Sequence, residues 1–377
     1  MKWINKMRQF PAFVSILGIL AFTTVAQTNL TVENGSKNGG NRGRQLAHVW
    51  ANPNPPNMVF DRWTGSTNLV QDVFASHTLV NPLGKNINLT ATYKSAPDWT
   101  LTSGTINGTS VLYHIPPQHI GIIFIFHGAG GSNLIILRPE DRNFANEAVA
   151  AGYGVIALNS SDRTTATWSF AFPPNNPDVT NVETLVTQFR QQGIIAQNAP
   201  LFAVGTSNGG FFTGIVSHFL NFRAAAIYIV FTADLINNIT VVPTIYCVAA
   251  NDDAPEVGQA GNQRAYNQFL NLRSRGIRTS FNNLLPSPVY PERFWRIPDL
   301  TQTDSINIHN ALKSNGFLDR QDYLIQNPSS SSWQTVIPPQ YASRLTAISD
   351  QLDVCFATHK FYSDYNSRVL RFFTETN

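Results

Sequence analysis

Charged residues and cysteines are scarce in this sequence. Aspartate, glutamate, lysine and arginine make up 13% of the 377 residues, about half of the roughly 25% that is usual for globular proteins. The net charge of +3 is scattered rather than clustered, so there is no basic stripe suited to nucleic acid. No His-Glu-x-x-His, paired Cys-x-x-Cys or calcium-loop pattern occurs. We therefore expect neither a metal site nor a cofactor.

Long apolar runs are also missing, apart from one near the start. Residues 13–22 form a short apolar core that follows a basic flank, and small residues suited to cleavage lie near Ala26. This pattern predicts a signal peptide over residues 1–26, with a core too short to span a bilayer. We expect a secreted protein without stable membrane insertion. Export would make the chain a candidate glycoprotein, since six asparagines begin an Asn-x-Ser/Thr triplet: Asn29, Asn34, Asn88, Asn107, Asn159 and Asn238.

The rest of the chain divides by composition. Residues 27–44 are rich in asparagine, glycine and serine and predict a flexible linker. Residues 45–96 alternate short apolar stretches with proline-containing turns, which predicts a small β-module. Over residues 105–377, apolar strands alternate with helical stretches, the signature of a mostly parallel α/β sheet. Prolines break this rhythm at about 286–345, and we expect an insertion there that forms a lid or a wall of the substrate cleft.

The periodicity of the α/β part predicts its individual elements. Strands are expected near residues 121–127, 154–159, 200–206, 224–231 and 242–250. Helices are expected near residues 139–151, 181–193, 208–220 and 258–275, and later at 304–314 and 340–352. Glu140 and Asp141 fall at the start of the first helix, where carboxylates stabilise the helix dipole without any catalytic meaning.

The most informative stretch runs from Gly205 to Gly209 and reads Gly-Thr-Ser-Asn-Gly. An apolar strand precedes it and a helix follows it, which is the context of a nucleophile elbow. A strand that turns sharply into a helix strains the turning residue, and the glycines leave room for the close backbones. Ser207 would lie at a helix N-terminus, where free N–H groups stabilise developing negative charge. We predict that Ser207 is a nucleophile.

A second motif, His-Gly-Ala-Gly-Gly, follows the first strand of this series. Its small residues allow backbone N–H groups to face a cavity, and the sequence patterns of phosphate-binding loops are missing from it. In the α/β-hydrolases, which the two motifs resemble, an N–H of this loop and the N–H after the nucleophile form the oxyanion hole. The resemblance assigns these donors to Asn208 and Ala129, with Gly130 as an alternative. His127 is expected to shape the loop by hydrogen bonding.

The acid and the base of such an enzyme follow the serine in the order acid, then histidine. His359 lies just before a C-terminal amphipathic helix, where this fold presents its base. Asp252 and Asp253 both follow a buried strand, and a carboxylate at either position could orient the histidine. The family's Gly-x-x-Asp turn, with Ala249 in place of its glycine, favours Asp252 but leaves Asp253 open.

With these three motifs in order, residues 105–377 resemble an α/β-hydrolase of the secreted serine-esterase kind, similar to feruloyl esterases and polyhydroxyalkanoate depolymerases. The resemblance implies a mostly parallel sheet flanked by helices, preceded by a small all-β module. That module resembles the B-repeat modules of bacterial surface proteins through Phe60-x-x-Trp63, with Asn57 in place of a turn glycine. The resemblance implies that Phe60 and Trp63 are core anchors. Carbohydrate binding by Trp50 or Trp63 is the alternative.

The function that follows is a secreted serine hydrolase for carboxylic esters, polymeric or plant-derived ones included. Ser207, His359 and Asp252 would carry it through an acyl-enzyme intermediate. A serine peptidase or amidase on the same fold would use identical machinery, and an inactive hydrolase-like binding protein is a third hypothesis. Trp168 follows a strand on the side of the sheet where this fold places its cleft. It is a candidate for substrate binding, with core packing as the alternative.

The two cysteines lie close to the predicted acid and base in the sequence. Cys247 is in the strand that leads to the acid, and Cys355 comes four residues before His359. In an oxidising compartment such a pair can form a disulfide, which would tie the two catalytic loops together. Two buried free thiols are the alternative.

Overall fold

One large sheet and two small ones organise the protein. The computed structural model describes residues 29–39, 46–83 and 85–376, so the predicted signal peptide lies outside the described residues. The small sheets contain β1 (Leu30–Glu33), β2 (Gly35–Gly39), β3 (Ala47–Ala51), β4 (Met58–Gly65), β5 (His77–Val80) and β6 (Ile87–Ser95). The large sheet contains β7 (Thr102–Ile106), β8 (Thr109–His114), β9 (Gly121–Phe126), β10 (Tyr153–Leu158), β11 (Leu201–Thr206), β12 (Ala224–Tyr228), β13 (Thr244–Ala249) and β14 (Thr279–Leu284).

The large sheet has the strand order β7-β8-β10-β9-β11-β12-β13-β14. Strand β8 runs antiparallel to both of its neighbours, and all the other neighbouring strands are parallel. Every residue of β9, β10 and β13 is buried, as expected for parallel strands that helices cover on both faces. With the strand–turn–helix elbow after β11, this is the α/β-hydrolase fold.

Helices cover both faces of the large sheet. Residues of the first and last helices pack on one face, and residues of the second and third pack on the other. Among the described residues, no helix is both long enough and apolar enough to cross a membrane. The helices are α1 (Pro139–Ala150), α2 (Pro177–Gln191), α3 (Asn208–Phe219), α4 (Asp234–Ile239), α5 (Gly258–Ser274), α6 (Gln302–Ser314), α7 (Leu345–Phe356) and α8 (Asn366–Thr374). Short 3-10 helices lie at Thr67–Leu69, Asn133–Leu137, Arg293–Arg296, Pro328–Ser330, Trp333–Val336 and Pro339–Arg344.

The predicted strands and helices of the α/β part are confirmed within a few residues. The largest shift is at α7, which begins at Leu345 rather than at 340 because a 3-10 helix occupies Pro339–Arg344. Helix α2 begins four residues early, at Pro177, because the side chain of Asn176 accepts hydrogen bonds from two N–H groups of its first turn. Strand β12 ends earlier than predicted, at Tyr228, because Ile229 has a positive φ of 49°. Strand β14 was not predicted, since its polar sequence lacks a continuous apolar run.

The prediction of a flexible linker at 27–44 is wrong for residues 30–39. Strand β1 pairs in parallel with β6, and β2 pairs antiparallel with β3. The side chain of Leu30 is buried in the core of the module. Backbone hydrogen bonding to a neighbouring strand needs few apolar residues. The Asn- and Gly-rich sequence therefore lacks the apolar alternation from which strands are predicted.

The module is held by the aromatic residues that the sequence singled out. Phe60 and Trp63 are buried in its core, and Asn57 has the positive φ, 56°, expected of a turn residue. The indole N–H of Trp63 donates to a backbone carbonyl oxygen inside the module. Trp50 is buried and stacks on Tyr290 of the insertion, with ring centroids 4.2 Å apart. Neither tryptophan therefore presents a face for carbohydrate, and that alternative is wrong.

A buried ion-pair cluster joins the insertion to the large-sheet domain. The carboxylate of Glu140, at the start of α1, accepts hydrogen bonds from Arg293 at 3.2 Å and from Arg296 at 2.9 Å. The N–H and hydroxyl groups of Ser363 donate to its second oxygen. Burial alone would raise the pKa of Glu140, but Arg296 and Arg293 outweigh it and lower the pKa to about 2. Glu140 therefore anchors the insertion, a role beyond the helix-dipole effect expected from its sequence position.

Candidate active site

Ser207 lies on a sharp turn between β11 and α3. Its φ of 55° and ψ of −123° are unfavourable for a residue with a Cβ atom. The two flanking glycines make this turn sterically accessible. A Cβ on Gly205 would lie 2.3 Å from the carbonyl oxygen of Gly209, and one on Gly209 would lie 2.3 Å from that of His127. The spacing Gly-x-Ser-x-Gly is therefore a packing requirement of the elbow.

The same contact gives a stability prediction. Gly209→Ala should lower the free energy of unfolding by about 3 kcal/mol, because the added methyl group would overlap backbone atoms that cannot rotate away. Gly104→Ala is the matched control, since its Cβ would meet only Tyr113, at 3.8 Å. Urea unfolding of the two variants measures the difference. Equal stability of both variants would show that the elbow can relax around the extra carbon.

The structure brings Ser207, His359 and Asp252 into one hydrogen-bonded row. The distance from His359 Nε2 to Ser207 Oγ is 2.8 Å. The distances from His359 Nδ1 to Asp252 Oδ2 and Oδ1 are 2.8 Å and 3.0 Å. An ionised carboxylate only accepts, so Nδ1–H donates to Asp252 and Nε2 is free to accept the serine proton. The carboxylate is fully buried, whereas the imidazole is 23% exposed.

Of the two adjacent aspartates, only Asp252 contacts the histidine. The side chain of Asp253 instead accepts a hydrogen bond from Asn327, at 2.7 Å. Asn251 joins the loop of the acid to the loop of the base: its N–H donates to the carbonyl oxygen of Ala357, and its side chain donates to that of Phe356. Sequence reasoning missed Asn251, because nothing local distinguishes it from the other asparagines of this chain.

The loop after β9 supplies the candidate oxyanion donors. The N–H of Gly130 is engaged with the carbonyl oxygen of Ala166, at 3.1 Å, so Gly130 is not available as a donor. The N–H groups of Ala129 and Asn208 donate to no acceptor among the residues that the structure describes. Asn208 is the first residue of α3, a position at which the N–H has no intrahelical acceptor. These two N–H groups are therefore free for a ligand oxygen, and their assignment as oxyanion donors stays a prediction.

His127 holds this loop in place from beneath. It is completely buried, with Nδ1 2.7 Å from the carbonyl oxygen of Gly128 and Nε2 3.2 Å from the backbone nitrogen of Ser160. The carbonyl oxygen accepts and the backbone N–H donates, so the imidazole is neutral with its proton on Nδ1. Burial lowers the pKa of His127 to about 4. The structure thus supports the predicted loop-shaping role.

This lowered pKa predicts how stability depends on pH. In the unfolded chain the pKa of His127 is near its ordinary value of 6.5, so between pH 6.5 and about 4 the unfolded state binds more protons than the folded one. The free energy of unfolding should therefore fall as the pH falls through this window. The shift corresponds to a loss of about 3 kcal/mol by pH 4.

Urea unfolding at pH 7 and pH 4.5 tests this, with His127→Gln compared against wild type. The variant should lose less stability between the two pH values, because it has no imidazole to protonate. An identical pH dependence in both proteins would show that His127 is not the group responsible.

Trp168 does not lie in the cleft, and its candidacy for substrate binding is wrong. Its side chain is 1% exposed and stacks on Phe212, with ring centroids 4.7 Å apart. The indole N–H donates to the carbonyl oxygen of His127 at 2.7 Å, and the backbone N–H donates to Oδ1 of Asn208 at 2.7 Å. Trp168 therefore supports the loop after β9 from behind, because its large ring packs between that loop and α3.

A cavity of about 610 Å³ opens beside Ser207 and His359. Its lining comes from the loop after β9, the first turn of α1, residues of α7 and the segment that carries His359. No residue of 286–345 within the described chain lines it, so the expected lid or cleft wall is wrong for this cavity. The insertion instead packs around its own apolar core and against the β-module.

Both cysteines are free thiols. Cys247 lies in β13 and Cys355 near the end of α7, and both are buried. Burial raises the pKa of Cys247 to about 12, so this thiol stays protonated. Of the two alternatives that the sequence left open, the structure has the buried thiols.

Comparisons with known proteins add little to this geometry. No protein-family profile matches the sequence, and no curated protein matches it. Solved structures resemble about half of the chain at low similarity. An esterase of Pyrococcus furiosus is 11% identical, with a TM-score of 0.35, 50% of this chain covered and 87% of the other. Est1E of Butyrivibrio proteoclasticus with ferulic acid bound is 10% identical, with a TM-score of 0.35 and coverages of 48% and 88%. An acetyl xylan esterase of Aspergillus awamori is 12% identical, with a TM-score of 0.36 and coverages of 47% and 81%.

The B-repeat resemblance of the module stays a prediction.

Proposed function

We propose that the protein is a serine hydrolase that cleaves carboxylic esters through an acyl-enzyme intermediate. The observation that carries the proposal is the hydrogen-bonded row from Ser207 through His359 to the buried Asp252. A hydroxyl group within 2.8 Å of a neutral imidazole that is oriented by a carboxylate is the arrangement that activates serine as a nucleophile.

In the first half of the reaction, Ser207 Oγ attacks the ester carbonyl carbon while His359 Nε2 takes the hydroxyl proton. Asp252 stabilises the imidazolium that forms, and the N–H groups of Ala129 and Asn208 stabilise the negative oxygen. The tetrahedral intermediate then collapses. The C–O bond to the alcohol breaks, and the alcohol leaves with the proton that His359 returns.

In the second half, water replaces the alcohol. His359 takes a proton from the water, whose oxygen attacks the acyl carbon of the acyl-serine. The bond to Ser207 Oγ breaks, the serine regains a proton from His359, and the carboxylic acid leaves. The side chains and N–H groups named above are sufficient for both halves.

The test of the substrate class compares an ester and an amide of the same acid. Ethyl butyrate and N-ethylbutanamide, followed by chromatographic quantification of the butyrate released, should differ in kcat/KM by a factor on the order of 10³ in favour of the ester. Amide resonance and the poorer leaving amine are the reason. Comparable rates would favour the peptidase or amidase alternative. If neither compound nor any activated ester were hydrolysed, the hypothesis of an inactive hydrolase-like binding protein would be favoured.

We also propose that the protein is exported and glycosylated. The support is the signal-peptide pattern at 1–26 and the Asn-x-Ser/Thr triplets. N-terminal sequencing of protein recovered from the medium of a secreting host should begin near residue 27. A mass above that of the mature chain, lost on deglycosylation in a eukaryotic host, would report glycans. An intact N-terminus retained in cells would contradict export.

A further inference from the structure

Two buried polar side chains in the cavity beside Ser207 carry polar atoms without a hydrogen-bond partner. Asp141 is 4% exposed and Gln351 is completely buried, and both line the cavity. The Oδ1 atom of Asp141 and both amide atoms of Gln351 make no hydrogen bond to any residue that the structure describes. Asp141 comes from the first turn of α1 and Gln351 from the middle of α7, so two separate elements converge on the same space.

Packing does not account for these two residues. A buried polar group without a hydrogen bond lowers stability, and an apolar side chain of similar shape would avoid that cost. The other buried polar side chains that line the cavity, His127 and Glu140, have hydrogen-bond partners in the protein. Arg138 and Glu256 also line it without such a partner among the described residues, but both are exposed and can be hydrated. Lys360 is paired with Asp350, at 2.7 Å, and Arg163 donates to the hydroxyl of Ser160 and to the carbonyl oxygen of Gly131. Among the buried side chains of the lining, the unused hydrogen-bonding capacity is thus at Asp141 and Gln351.

Both side chains are suited to uncharged ligand groups. Burial raises the pKa of Asp141 well above its usual value; Arg138 opposes this, while Glu140 and Asp350 add to it. A protonated carboxyl group both donates and accepts a hydrogen bond, and so does the amide of Gln351. A hydroxyl group also has one donor and two acceptor sites, so it matches either side chain. A carboxylate only accepts hydrogen bonds and an ammonium ion only donates them, so either ion would leave the donor or the acceptor of each side chain unpaired.

We infer that Asp141 and Gln351 form a subsite that binds a hydroxyl-bearing, uncharged part of the ester substrate beside Ser207. The inference rests on the proposed function and adds to it the residues that select the substrate. The cavity volume lies within the range of pockets that enclose small-molecule ligands. The hydroxyl group can belong to the acyl part or to the alcohol part of the ester. The chemistry of recognition is the same in both cases.

Two substrate pairs separate these sources. For the acyl part, ethyl 3-hydroxybutyrate is compared with ethyl butyrate. For the alcohol part, glycerol monoacetate is compared with propyl acetate. Wild type should prefer the hydroxylated member of at least one pair by about tenfold in kcat/KM, since a buried site built for hydrogen bonds disfavours the analogue that lacks the hydroxyl group.

The variants then locate the preference. Gln351→Leu should lower kcat/KM for the hydroxylated ester by about tenfold and leave that of the plain ester within about twofold. Asp141→Leu should do the same, whereas Asp141→Asn, which keeps a donor and an acceptor, should retain the preference. Gln334→Leu is the matched control, because Gln334 is exposed and lies outside the lining. It should change neither substrate.

A stability measurement separates recognition from a structural role. Gln351→Leu should unfold at the same or a higher urea concentration than wild type, because it removes an unpartnered buried amide. The inference is overturned if wild type shows no preference in either pair, or if Gln351→Leu slows both members equally. If wild type hydrolyses ethyl butyrate and Ser207→Ala does not, either result contradicts the subsite alone. If wild type hydrolyses no ester, the proposed function fails as well.

Discussion

Replacing Ser207 with alanine is expected to reduce kcat/KM for p-nitrophenyl butyrate by a factor on the order of 10⁶. The variant keeps the cavity, the free N–H groups and the imidazole, but it has no atom that can form the acyl bond. Initial rates of the purified protein measure the effect.

Ser217→Ala is the matched control for this change. Ser217 lies further along the same helix and is buried, and its hydroxyl has no hydrogen-bond partner among the described residues. Its removal should change kcat/KM by less than about twofold. A Ser207→Ala protein with more than a small fraction of the wild-type rate would mean that another group attacks the ester.

Asp252→Asn is expected to lower kcat by a factor on the order of 10⁴. An amide in place of the carboxylate can donate a hydrogen bond to Nδ1 of His359, which favours the tautomer with the imidazole proton on Nε2. The ring could then no longer accept the proton of Ser207. The change is nearly isosteric, so the loss should occur with little change in KM or in the free energy of unfolding.

Asp253→Asn is the matched control for Asp252→Asn, because it is the same substitution at the adjacent residue. Asp253 contacts Asn327 rather than the histidine, and its replacement should change kcat by less than about threefold. Rates for both variants come from the same ester assay. A larger loss of kcat in Asp253→Asn than in Asp252→Asn would contradict the assignment of Asp252 as the acid.

The elbow and the glycine-rich loop after β9 were predictable because their sequence signals are local. Five consecutive residues place the turn, the candidate nucleophile and the close backbone contacts around Ser207. Glycine is needed at 205 and 209 because an added Cβ would lie 2.3 Å from a backbone oxygen at either position. The loop after β9 is similarly compact. Apolar strands buried on both faces also leave a strong signal, which is why the central strands of the large sheet were found.

The choice of the acid depended on contacts between distant parts of the chain. The sequence narrowed it to Asp252 or Asp253, but only the packing of the loop after β13 against the end of α7 decides which carboxylate reaches His359. Asn251 makes that packing through Ala357 and Phe356. No local pattern marks such a contact.

The remaining errors share one physical cause: contacts with distant parts of the chain decide whether these residues are paired or buried. Strands β1 and β2 form by adding polar segments to existing strands, so they carry little apolar periodicity. Trp168 has an amphipathic ring that suits both a cleft and a core, and only its 1% exposure distinguishes the two. The cavity residues Asp141 and Gln351 lie on helices where acidic and amide side chains usually face solvent, so their burial depends on tertiary packing alone.

The most direct test of the central claim is covalent labelling with a fluorophosphonate, followed by peptide mass spectrometry. The oxygen of an activated serine attacks the phosphorus of such a reagent, the P–F bond breaks, fluoride leaves, and a stable phosphonyl group stays on the serine oxygen. We expect one adduct, on the peptide that contains Ser207, and no adduct in Ser207→Ala or after mild denaturation. An unlabelled wild-type protein, or an adduct on a different residue, would contradict a nucleophilic Ser207 activated by His359.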